Sequence, residues 1–184
     1  AIAAIRSSAR ARSPASREGG PPHELDPDTL ETKGLRRFGG ELRWIGSYSA
    51  HPCFCPSSGD MFNFGVEFIP TPHLRIYRTD RAGRLRHYRS FSLPYVAMVH
   101  DFAITERYLV FLISPIIPDG IPIALGLTSF GDGMKYRPER GSSFVLIPRD
   151  GGEIRRVDCD AVLQFHPSNA YDDRGDVVFD VITY

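Results

Sequence analysis

No stretch of these 184 residues approaches the ~18 consecutive apolar residues that a membrane span requires; the densest apolar run is Tyr108 to Ile113. Charge of one sign is also missing. Lys and Arg total 22, and Asp and Glu total 22, so the chain lacks the basic excess on which nucleic-acid binding draws, and nucleic acid is excluded as a partner class. Cysteine is scarce: Cys53, Cys55 and Cys159 make no even-numbered disulfide framework. They read as thiols in a reducing compartment, with a cytoplasmic location the simplest expectation. Amphipathic helical periodicity over three turns is absent as well. What is present, 42% hydrophobic and 24% charged residues, is the composition of an ordinary globular domain.

Both ends suggest a piece of a longer protein. No methionine opens the chain, and Asp176 to Tyr184 reads as a strand that meets the last residue before any turn. Residues 1–17 are rich in Ala, Arg and Ser without strand or helix period, and are expected to be irregular or disordered; residues 18–184 hold the folded domain.

Strand signals dominate that domain. Phe62, Phe64, Val66 and Phe68 alternate with Asn63, Gly65 and Glu67, the period of two expected of a strand with one buried face. Leu74 to Thr79 and Arg84 to Leu93 flank Asp80-Arg81-Ala82-Gly83, whose Asp and Gly suit a tight hairpin turn. The unit repeats: Phe102 to Thr105 with Tyr108 to Ile113, Phe144 to Ile147 with Ile154 to Val157, and Val162 to Phe165 with Val177 to Ile182 around a polar loop. Sequential antiparallel hairpins predict an all-β sandwich, barrel or propeller. Pro115 to Arg140 interrupts the series with four prolines, which cannot donate to a ladder. Its apolar cluster Gly120 to Phe130 either packs down as a lid or meets lipid.

Of six histidines, His51, His100 and His166 each stand where a strand begins or ends. Their intervals, 49 and 66 residues, resemble the ~40–50 residues of a propeller blade, the longer one containing the insertion. Residues at matching heights on successive blades converge on the propeller axis, so imidazoles there would form a metal site. The competing reading is that each is a structural histidine beside a strand. His23, His73 and His87 lack that context and read as surface or turn residues. Cys53-Phe54-Cys55 is a weak zinc signal. Phe102 and Phe165 read equally as core aromatics or as lining of a cavity.

Ser49-Ala50-His51-Pro52 with Ser58 to Phe64, then Met98-Val99-His100-Asp101 through Glu106, then Phe165-His166-Pro167 through Asp172, resemble in order the motifs of the carotenoid cleavage oxygenase family, also called the retinal pigment epithelial membrane protein family. Glu18 to Thr32 resembles the segment before its first ligand, and Tyr136 to Gly141 through Pro148 to Gly151 the run before its third. The resemblance implies part of a seven-bladed β-propeller with antiparallel hairpin blades and loop insertions on one face. It also implies a non-haem Fe(II) dioxygenase that uses O2 to split a conjugated C=C bond of a carotenoid or apocarotenoid, or in some members a stilbene, into two carbonyl products. His51, His100 and His166 match iron ligands, Glu18 matches a glutamate that orients a ligand histidine, and Gly120 to Phe130 falls where members carry a peripheral membrane-facing patch. A different class remains in view: a non-catalytic truncated propeller or binding module. Ser7 to Arg17, Cys53 and Cys55 depart from the family pattern, and no function attaches to the two cysteines. The resemblance puts a fourth histidine and two further glutamates downstream of Tyr184. The 184 residues alone are therefore expected neither to hold iron tightly nor to catalyse, and an iron-replete, active preparation of this chain overturns that expectation.

Overall fold

A computed structural model describes residues 3–4, 13–16, 20–43 and 46–184, and the chain divides into two compact units, Ala1–Ser92 and Leu93–Tyr184. In the first unit, β1 (Ala3–Ala4), β2 (Ser13–Ser16), β3 (His23–Leu25) and β4 (Thr32–Leu35) form one antiparallel sheet in that order. Two of these strands lie within the stretch expected to be irregular: β1 pairs with β2, and β2 pairs with β3 through Pro14 opposite Glu24. A backbone ladder requires no apolar period, which is the signal that stretch lacks.

The second sheet of this unit runs β5 (Cys53–Phe54), β6 (Met61–Glu67), β7 (His73–Thr79) and β8 (Leu85–Ser92). The β7–β8 turn forms as its residues dictate. Asp80 Oδ1 accepts the N–H groups of Ala82 and Arg84 at 2.9 and 3.0 Å, and Gly83 takes the positive φ of +77° that a side chain would resist. Strand β6 departs from the expected pattern, because Asn63, Gly65 and Glu67 are buried along with Phe62 and Phe64. Both faces are covered. On one side Ser47 and Ser49 lie against it: Ser49 N–H donates to Phe64 O at 2.8 Å and Ser47 Oγ donates to Val66 O at 2.9 Å. Leu42, Tyr48, Met61, Tyr77 and Leu85 form a buried cluster with Phe38 packed against it.

The second unit centres on β10 (Tyr108–Ile113), an unbroken apolar strand buried from Leu109 to Ile113, as expected of a strand covered on both faces. Its sheet runs β14 (Arg155–Cys159), β13 (Ser142–Pro148), β10 and β9 (Ala103–Ile104). The proline-rich insertion holds a two-stranded ladder, β11 (Ile116–Pro118) with β12 (Met134–Tyr136), and the five-residue helix α1 (Gly120–Ala124). The last hairpin corrects the sequence reading. Residues 167–173 are strand β15 (Pro167–Asp173), not a polar loop, and they pair with β16 (Asp176–Val181) around Arg174-Gly175; Val162 to Phe165 forms no strand. The fold of the described residues is all-β and antiparallel, and none of its sheets closes on itself.

Gly65 is the tightest contact in the first unit: a Cβ there would stand 2.0 Å from Ser47 O. Gly65→Ala is expected to cost about 3 kcal/mol, because main chain must move to admit the methyl group. Gly120→Ala, which meets nothing within 4 Å, is expected to stay within about 1 kcal/mol of the parent. Urea unfolding of the two variants checks the contrast.

Candidate metal centre

His51 belongs to the first unit. Its backbone N–H donates to Ser49 Oγ at 3.1 Å, and Ser49 is itself held to β6 from two directions. Its N–H reaches Phe64 O, and its carbonyl accepts Asn63 Nδ2 at 2.9 Å. Asn63 is 1% exposed, so this amide bond is made without competition from water. The stretch leading to His51 is irregular yet fixed, and the ring's Nε2 is shielded from solvent.

His100 and His166 belong to the second unit, and there they meet. Their rings lie 4.7 Å apart between centroids at 75°, edge to face, with Phe165 edge-on to His100 at 5.7 Å. His100 immediately precedes Asp101 and β9. His166 follows Gln164, which is 5% exposed and donates through Nε2 to Leu112 O on β10 at 3.1 Å. A buried carboxamide again pins a non-strand stretch to a central strand two residues before a histidine. His166 Nδ1 lies 2.9 Å from Asp101 Oδ2. A carboxylate only accepts, so the neutral ring carries its proton on Nδ1 and presents the Nε2 lone pair. Such an arrangement fixes tautomer and ring orientation in histidines that ligate metals. Sequence reasoning missed Asp101, although its adjacency to His100 was visible.

The hairpin that follows His166 is tied down at its far end. Arg107, in the β9–β10 turn, donates from Nε to Asp172 Oδ1 at 3.1 Å and from its backbone N–H to Asp172 Oδ2 at 3.0 Å. Partial burial pushes the Asp172 carboxyl up, but these donors and the Thr105 hydroxyl outweigh it, and the group rests below its ordinary value.

The remaining candidates separate clearly. His87 lies 2.8 Å from Ser90 Oγ, and burial, then the Arg75 charge, lower its pKa. His73 sits between Thr71 O at 2.9 Å and Glu67 Oε2 at 3.1 Å. Both are engaged locally, but neither lies in a turn: His73 opens β7 and is half-buried, and His87 is an exposed residue of β8. Phe102 is core, 2% exposed and stacked on Phe111 at 4.9 Å. Cys55 Sγ is 3.2 Å from Ser57 Oγ. Glu18 lies outside the described residues. The apolar insertion does not pack down: Ile121, Leu125, Leu127 and Phe130 are 75%, 67%, 75% and 54% exposed.

The sequence profile of the family described as Retinal pigment epithelial membrane protein matches residues 8–184. The chain is 35% identical over 173 residues to the apocarotenoid-15,15'-oxygenase of Synechocystis sp., covering 91% of the chain and 35% of that protein. It is 36% identical to resveratrol cleavage oxygenase 1 of Aspergillus fumigatus, covering 91% and 34%, and 34% identical to the isoeugenol monooxygenase of Pseudomonas putida, covering 91% and 35%. Among solved structures, cobalt-substituted Synechocystis ACO is similar at a TM-score of 0.86 and 33% identity, over 97% of the chain and 38% of its own. The chain thus spans about a third of the length of these relatives.

The lowered Asp172 carboxyl sets a sign for acid stability. Its folded pKa lies below the ordinary 3.8, so its contribution is fully present above that value and is lost as pH falls through the folded pKa. The stability gap between the parent and Asp172→Asn is expected to be larger at pH 7 than at pH 3, as read from urea unfolding at both.

Proposed function

The chain belongs to the family described as Retinal pigment epithelial membrane protein, the carotenoid cleavage oxygenases, and we propose that it is part of a non-haem Fe(II) dioxygenase that splits a conjugated C=C bond of a carotenoid or apocarotenoid with O2. The observation that carries this reading is the His100–His166 pair, with Asp101 accepting from His166 Nδ1. His51 joins this pair as a third ligand, and Glu18 orients one of the three rings. The donor set suits the ion: neutral imidazole ligates iron, and because iron(II) is a weak binder among first-row metals, rigid positioning of the donors matters more than raw affinity.

Iron(II) bound there supplies the activation of O2. The protein's own groups set the stage for it. Asp101 keeps the His166 proton on Nδ1 and away from the ligand atom, and the amides of Asn63 and Gln164 hold the histidine-bearing stretches in place. The aromatic edge of Phe165 against His100 keeps one side of the pair apolar. The reaction balances as one alkene and one O2 giving two carbonyl compounds. Sequential antiparallel four-stranded sheets suit blades of a seven-bladed propeller. The exposed side chains of Ile121, Leu125, Leu127 and Phe130 suit peripheral contact with a membrane from which a water-insoluble polyene enters.

A second reading concerns the substrate. Relatives named for resveratrol and isoeugenol are 36% and 34% identical to the chain, against 35% for the apocarotenoid oxygenase, so a stilbene or a related phenylpropenoid competes with the polyene. Assay of a polyene and of a stilbene with ¹⁸O-labelled O2 separates these readings: the compound that is cleaved marks the substrate class, label in both carbonyl products is expected for a dioxygenase, label in one marks a monooxygenase, and an intact carbon skeleton of both overturns cleavage. In a protein carrying this chain, His51→Ala, His100→Ala and His166→Ala are each expected to lose iron while His87→Ala retains it. Equal iron content across the four overturns the ligand assignment.

A further inference from the structure

Arg107 sits away from the histidines, yet it makes more directed contacts than its place in a two-residue turn requires. Its Nε and its backbone N–H hold the two oxygens of Asp172 at 3.1 and 3.0 Å. Its Nη2 donates to the carbonyls of Gly175 and Asp176 at 3.0 and 3.2 Å. One residue therefore closes over the tip of the β15–β16 hairpin. The turn that carries it is itself fixed: Arg149 Nη1 donates to Thr105 O and Glu106 O at 2.8 and 2.7 Å, and Arg149 N–H donates to Arg107 O at 2.8 Å.

The hairpin so held begins one residue after His166. At that near end Asp101 takes the His166 ring, and at the far end Arg107 takes the tip. Both grips come from residues 100–107, the stretch that also carries His100. Between them β15 spans roughly 20 Å of extended chain. A lone two-stranded hairpin has little stability of its own; besides these grips, β15 lies alongside β9, Phe179 meets Phe144 edge-on at 5.4 Å, and just past β16 Tyr184 N–H donates to Leu163 O at 3.0 Å. The distal grip is the one that fixes the far end of β15, so its loss loosens the hairpin that continues directly from His166.

We propose that Arg107 is a positioning residue, which locks the β15–β16 hairpin against the β9–β10 turn and thereby holds the His166 ring at His100 in the metal-free protein. Its consequence for metal binding rests on the function proposed above; its content rests on the geometry of the second unit alone. The Arg fork matters here beyond its charge, because lysine can meet Asp172 but cannot also span the two carbonyls.

The test uses the isotope-labelled chain without metal, reading cross-relaxation between the His100 and His166 ring protons, followed by titration with Co(II). The parent is expected to show the ring contact. Arg107→Ala, which removes the guanidinium bonds but keeps the backbone N–H to Asp172, is expected to weaken it while keeping the Phe102–Phe111 contact of the core, and to bind Co(II) about 10-fold more weakly, the lower end of the range typical of residues that orient a metal ligand. Arg107→Lys is expected to fall between the two. If Arg107→Ala does not fold, Asp172→Asn decides the matter by the same ring contact. A ring contact unchanged in the folded variant overturns the proposal, as does its loss together with the core contact, since that marks a general structural role. Equal Co(II) affinity in the parent and His100→Ala overturns the metal reading instead, and the ring contact still decides the role of Arg107.

Discussion

His51 and His166, which stand outside strands, each follow a stretch pinned by a carboxamide buried against a central strand. In the first unit Asn63 of β6 holds the carbonyl of Ser49, and in the second Gln164 holds the carbonyl of Leu112 on β10. An irregular stretch has no ladder to satisfy its polar groups, and leaving them unpaired in a core costs more than a typical hydrogen bond contributes. The buried amides resolve that conflict. They let the chain leave the regular sheet, where side chains can point only to two faces, and still be fixed closely enough to aim an imidazole. Gly65 follows from the same constraint, since the Ser47 carbonyl approaches β6 where any Cβ would stand.

Much of this was legible in the sequence, and the failures are instructive. The β7–β8 hairpin was readable because Asp80 and Gly83 carry the turn chemistry in their own side chain and φ. Strand β10 was readable from its unbroken apolar run. Strand β15 was not, because Pro167-Ser168-Asn169-Ala170-Tyr171-Asp172-Asp173 has no hydrophobic alternation. It is extended because β16 supplies a ladder from Pro167↔Val181 to Asp173↔Asp176, information that lies in the partner. The alternation in β6 was seen but its meaning was half right: a period of two marks one apolar face, and it cannot report that Ser47 and Ser49 cover the other.

The site divides along similar lines. The three histidines were singled out from position and motif order, which need only the chain itself. Asp101, Gln164 and Arg107 were not, because their roles arise from contacts 65, 52 and 65 residues distant. No local pattern encodes such a pairing. The insertion is the reverse case. Its composition posed a choice between packing and exposure, and the prolines and α1 leave Ile121, Leu125, Leu127 and Phe130 turned outward, with no strand of their own to fold them inward.

The short stretch from His100 to Arg107 shows how much can be placed on one turn of chain. It offers an imidazole, a carboxylate for a second imidazole, and a guanidinium for the hairpin bearing that second imidazole. Thr105 makes the combination possible. Its Oγ1 accepts the Tyr108 N–H at 2.9 Å and its own N–H donates to Tyr108 O at 2.9 Å, so the turn is as tight as a two-residue connection allows. That tightness aims the Arg107 N–H outward at Asp172 rather than into the β9–β10 ladder. A longer turn would pair the same strands equally well, yet it would lose the backbone donor and keep only the flexible side chain. The short turn that pairs these strands thus also supplies a backbone donor to a distant hairpin.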